Sequence, residues 1–226
     1  MKTLLLILLS IITLNAQSFK VEKVSGTVKK LPAGEEKWIE VSSGETINST
    51  SMLMTEKNSS VRISNSNSFF MLKESSAVLV SDIKKMTTEE LLLALAMEDM
   101  LNAPRKKEKS KSHDTAVYGT NENGKKNNTL ENHDYGIKRL NGAKQLSENG
   151  FNESAVIAAK ETYRKYPSVK EITSYRIFFA DILFNKGLNE EAYGEYVSIS
   201  KLTLSEKEKA DVEKKIELLE KKIVTN

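Results

Sequence analysis

The chain has 226 residues, with 34 Lys+Arg against 31 Asp+Glu and a formal net charge of +3. So near a balance lacks the clearly basic face that a nucleic-acid partner needs, and no nucleic acid is expected. Cysteine is absent, which excludes disulfides, thiolate metal sites, a cysteine nucleophile and lipid attachment through a lipobox. Ordinary packing must hold the fold.

Met1 to Ala16 reads MKTLLLILLSIITLNA: Lys2, an apolar run from Leu4 to Leu14, then Asn15 and Ala16. This is the layout of a cleaved secretory signal peptide over residues 1–16. The run is short of the roughly twenty apolar residues of a membrane-spanning helix. An exported protein is expected, in the periplasm or at the cell surface.

Residues 19–83 alternate in short apolar stretches broken by Gly, Asn and Ser. Val21, Val24 and Val28 flank Ser25-Gly26, and Trp38-Ile39-Glu40-Val41 lead into Ser43-Gly44. Met52–Met54, Val61–Ile63, Phe69–Leu72 and Ala77–Val80 complete the series. Period-two alternation with frequent turns predicts a small antiparallel β roll or barrel. Trp38, Phe69 and Phe70 are its expected large core side chains. Thr87-Thr88-Glu89-Glu90 then opens the run LLLALAMEDML, and Thr87 with Glu90 fits a capping box. A short amphipathic helix is expected over 87–102, with Leu91, Leu92, Leu95 and Met100 on one face. Pro104 ends it, and it should pack on the β-domain or on a partner.

Residues 104–134 read as a flexible basic and polar linker, with the charge run Arg105-Lys106-Lys107-Glu108-Lys109-Ser110-Lys111. A coil of this length spans roughly 30 Å, enough for two separately tethered heads. A lesser reading is peripheral contact of its lysines with a membrane or another anionic surface. From 135 to 223 the pattern is helical, with Gly150 and Gly187 at similar places. Ser205 with Glu208 opens a last helix whose Val212, Ile216, Leu219 and Ile223 form one narrow stripe, suited to capping a helical stack.

Two resemblances join these readings. Val24-Ser25-Gly26-Thr27-Val28, then Trp38 to Gly44, then Asn58 to Ile63 and Phe70 to Val80, resemble in order and spacing the FecR-type domain. Asn67 stands where that pattern has glycine, and can take the same left-handed turn conformation. The cytoplasmic sigma-factor-binding segment and membrane span of the iron-siderophore regulators are not seen, so the resemblance implies an exported binding module. Ala143, Leu146, Gly150, Ala155 and Pro167, then Ala180, Leu183, Gly187 and Ala192, resemble the tetratricopeptide repeat, with an insertion at Ser168 to Ile172. The fold class expected is α+β in two domains: a FecR-like β-domain and a tetratricopeptide-like repeat domain with a capping helix.

No catalytic or metal constellation is legible, and no cofactor is called for. His113 and His133 fall in the linker, and Glu89, Glu90, Glu98 and Asp99 read as capping or solvated carboxylates. There is no nucleophile elbow, phosphate loop or zinc-protease motif. A non-enzymatic protein is expected. Repeats of this kind grip peptides on the face lined by the first helix of each pair, which makes Asn141, Lys144, Gln145, Tyr175 and Arg176 the candidate partner-binding residues. Tyr163, Tyr166, Tyr193 and Tyr196 read as inter-helix packing with hydroxyls at the rim. Two functions stay open: a scaffold for another envelope protein or peptide, and a cell-wall or glycan reader, with a part in FecR-type envelope signalling as a variant. An exposed Trp38 would favour sugar stacking and a buried one the scaffold.

Overall fold

The computed structural model describes residues 18–66, 68–103 and 128–225. The expected signal segment 1–16, the basic run 105–111, His113 and the turn position Asn67 lie outside them. The described residues form two four-stranded antiparallel sheets and six α-helices, an α+β architecture.

Eight strands make the β-part: β1 (Ser18–Ser25), β2 (Val28–Leu31), β3 (Ile39–Glu40), β4 (Thr46–Asn48), β5 (Met52–Thr55), β6 (Ser60–Ser64), β7 (Phe69–Leu72) and β8 (Ser76–Leu79). One sheet has the order β4-β1-β6-β7 and the other β3-β2-β5-β8. Gly26, at φ +72°, turns the chain from the first sheet into the second. A Cβ there would also lie 2.4 Å from the Ser59 hydroxyl and 2.9 Å from the Asn58 carbonyl oxygen. Alternation drives one face of each strand inward, so Phe19, Val21, Ile63 and Phe70 of one sheet join Val28, Leu53 and Val78 of the other in one buried cluster.

That alternation corrects two of the expected core residues. Phe70 is fully buried, but Phe69, its neighbour on the strand, faces outward and is 59% exposed. Successive strand residues point to opposite faces, so both rings cannot enter the core. Phe69 lies instead under the Arg62 guanidinium, 5.0 Å from the ring centroid. Trp38 precedes β3 and is half-buried. Its ring meets Tyr135 edge-on at 6.1 Å rather than entering the β core.

The capping box at Thr87 and Glu90 forms and opens α1 (Thr88–Asn102). The helix beds on helix α3 (Asn152–Lys165) through Leu91, Leu95 and Glu98. Met100 leaves that face and is 77% exposed. Nine residues at about 100° each carry it to the opposite side from Leu91. Glu98, expected to be solvated, is 8% exposed and accepts from Arg164 Nε at 2.8 Å and NH2 at 3.2 Å.

The remaining helices are α2 (Asn128–Glu148), α4 (Thr173–Asn185), α5 (Asn189–Ile199) and α6 (Glu206–Thr225). α2 begins inside the stretch expected to be linker up to 134, so His133 lies on a helix. Ala143, Leu146, Ala155, Ala180, Leu183 and Ala192 are all buried between helices. Gly150 and Gly187 take φ +86° and +74° at the turns within each pair. The 3₁₀ turn Pro167–Val169 opens the expected insertion, Ser168 to Ile172. The Ser205–Glu208 capping box forms, and Val212 and Leu219 of α6 are fully buried.

The two parts are not separate heads. α2 lies against β8, and Gly142 is what permits it: a Cβ there would be 2.0 Å from the Ala77 carbonyl oxygen. Phe70 of β7 packs on Phe151, at 6.3 Å, and Ser154 Oγ donates to the Lys84 carbonyl at 2.8 Å. Apolar residues of both parts fall in one core cluster.

Candidate functional site

α2 presents one polar stripe, Asn141, Gln145 and Glu148, at the spacing that aligns side chains along a helix face. The stripe meets the turn between β7 and β8. Gln145 Oε1 accepts the Lys73 N–H at 2.6 Å, and its Nε2 donates to Ser76 Oγ at 2.7 Å. Asn141 Nδ2 donates to the Ser75 carbonyl at 2.8 Å, while Asn141 Oδ1 accepts from the Tyr175 hydroxyl. Ser75 itself sits at φ +52°, in the left-handed region, so these bonds hold a backbone conformation that serine rarely adopts alone. Beside the junction is a cleft of about 490 Å³ edged by exposed Lys57, Lys73 and Lys144 with Glu74 and Glu148. Lys144 Nζ stands 5.4 Å over the Phe178 ring.

Four of the five candidate groove residues therefore come together: Asn141, Lys144, Gln145 and Tyr175. Arg176 does not. One helical step of about 100° from Tyr175 turns it into the wall between α3 and α5. There its NH2 donates to Glu195 Oε2 and Ser198 Oγ, both at 3.1 Å, and its NH1 to the Lys170 carbonyl at 3.4 Å. The guanidinium lies 5.6 Å from the centre of the Tyr163 ring. Glu195 also accepts from Lys160. Burial pushes the Glu195 carboxyl up, but the Lys160 and Arg176 charges together outweigh it and hold it below the usual range. Burial pushes the Tyr163 phenol far up, so its hydroxyl keeps its proton.

This second site, a cavity of about 220 Å³, escaped the sequence reading because its residues come from four helices and a connection. The one local signal was Lys160 and Arg164, four apart and flanking Tyr163. The tyrosines differ from the expected rim arrangement as well. Tyr163 Oη is buried without a hydrogen-bond partner among the described residues, and Tyr196 donates to Asp181. Tyr193, bonded to Glu220 at 3.1 Å, does so at an exposed position.

Among the described residues no three His, Cys, Asp or Glu side chains are grouped to hold a metal ion, and no helix is long and apolar enough to cross a membrane. Compared with family models, curated proteins and solved structures, the chain matches none.

Proposed function

We propose that this chain is an exported, non-enzymatic envelope protein in which a FecR-like β-domain and a tetratricopeptide-like repeat form one scaffold. It holds a segment of another envelope protein, or a peptide, in the cleft over α2. The observation that carries this reading is that the α2 face already grips main chain, through Gln145 on the Lys73 N–H and Asn141 on the Ser75 carbonyl. Side-chain amides that read backbone are what a peptide groove uses, and here the protein's own turn fills part of it. The exposed lysines at the cleft edge supply a rim that can choose among partners by charge. Trp38, half-buried and packed against Tyr135, gives the glycan reading less support.

The test is a photoreactive residue in place of Lys144, in the full chain within its native envelope. One defined protein should be captured, and Lys57→Glu should abolish that capture while leaving the thermal midpoint unchanged. Capture of cell-wall polymer alone, or cosedimentation with purified wall regardless of Lys57, would replace the scaffold with the glycan reader.

A further inference from the structure

α1 turns one face to α3 and leaves the other bare. Among the described residues nine large apolar side chains are exposed, and five of them stand on this one helix: Leu92, Leu93, Met97, Met100 and Leu101. Leu93, Met97, Met100 and Leu101 are each more than half exposed, at 57% to 77%. At about 100° per residue, Leu93, Met97 and Met100 point away from the buried Leu91, Leu95 and Glu98. The bare face amounts to roughly 500 Å², within the range at which an apolar patch marks a contact site.

We propose that this face pairs with the same face of a second copy of the chain, the two α1 helices lying antiparallel. The pattern is complementary to itself under reversal. With the two-fold axis between Ala96 and Met97, Leu92 of one copy comes opposite Leu101 of the other, and Leu93 opposite Met100. Each Met97 then lies over the other copy's Ala96, which is small and exposed. Every large side chain meets another large one or the hole left by an alanine, as an isologous contact requires. Charge allows the same arrangement. Glu98 turns inward to Arg164, and Asp99 lies about 200° round the helix from Met97. Glu89 and Glu90 stand at one end of the face. Reversal keeps the two acidic ends about 20 Å apart along the axis, where a parallel pairing would stack them. Two such faces would cover about 1,000 Å², the lower limit for a specific interface, so a weak dimer is expected. A lipid surface suits the face less. α1 carries Glu89, Glu90, Glu98 and Asp99 but no cation, the reverse of a helix that lies on a membrane.

Cysteine is absent from the chain, so introduced thiols report the register without interference. In the full chain, Leu93→Cys combined with Met100→Cys should give, on mild oxidation, a dimer whose disulfides join position 93 of one copy to position 100 of the other. Within one chain these positions are about 10 Å apart and cannot bond. Sedimentation equilibrium gives the affinity. Met97→Glu, which brings a carboxylate of each copy to the axis, should weaken the dimer about ten-fold or more. Ala96→Leu makes the face more apolar but fills the hole, and should weaken it roughly ten-fold as well. Both positions are exposed, so the thermal midpoint of the protein at low concentration should not move. The proposal is overturned if the full chain sediments as a monomer up to millimolar concentration, or if the crosslinks join 93 to 93. It is equally overturned if Ala96→Leu tightens association, as non-specific apolar sticking would. The last overturning result is a monomer that floats with phosphatidylglycerol vesicles and loses them on Met97→Glu. None of these readouts involves the α2 cleft, so the Lys144 crosslink stands or fails separately.

Discussion

A methyl group at position 142 would overlap the Ala77 carbonyl, a backbone atom that cannot rotate aside. Gly142→Ala gains up to about 1 kcal/mol of helix propensity. It should nevertheless lower stability by roughly 1–3 kcal/mol, because α2 must lift from β8. Urea midpoints would show the loss, and amide exchange would place it in β8. Asp82 makes a different demand. Its Oδ2 is buried without a hydrogen-bond partner among the described residues, with Arg139 NH2 3.8 Å away. Burial raises its carboxyl from 3.8 to about 6, against the pull of Arg139. Between those values the folded state keeps a proton that the unfolded chain has released, so this group's contribution to stability falls as pH rises. The loss is on the order of 3 kcal/mol. Asp82→Asn should remove it, and the difference between wild type and variant, measured at several pH values across that window, isolates it from carboxylates such as Glu195 that act in the opposite direction.

α1 depends on one partly buried ion pair as well as on its leucines. Removing either Glu98 or Arg164 leaves the other without its partner, so each single variant, Glu98→Gln or Arg164→Met, should loosen α1. The double variant should recover part of the loss, with a coupling of about 1–3 kcal/mol in a double-mutant cycle read by α1 amide exchange. Elements such as this helix were legible in the sequence because their signals are local. The Thr87 and Ser205 capping boxes, the alternation of β6 and the two turn glycines each lie within a few residues. The site was legible only in part. Asn141, Lys144 and Gln145 follow from helical spacing, but what they touch is a turn more than sixty residues earlier (|i−j| is 66 for Asn141 and Ser75). Nothing near them in sequence announces it. Glu98 was misread for the same reason, since its partner Arg164 lies 66 positions away. Phe69 was a local error: alternation already forbade burying two adjacent rings.

At the scale of the molecule, the shared core and the bonds between α2 and the β7–β8 turn predict one cooperative transition rather than two. An engineered protease site between positions 104 and 127 provides the check. After cleavage the two fragments should still elute together and melt as one unit, until urea separates them. Independent melting of the halves would mean that the α2 contact contributes little.

β8 is the outermost strand of its sheet, and α2, not a further strand, lies against it. An uncovered strand margin offers free N–H and C=O groups to any extended chain that drifts near. The helical half thus protects the β half from self-association as well as supporting it. A fragment ending at Asn102 would lose this cover along with part of the shared core, expose the margin and be drawn into strand-to-strand oligomers. The intact chain keeps that adhesive surface covered by its own C-terminal half.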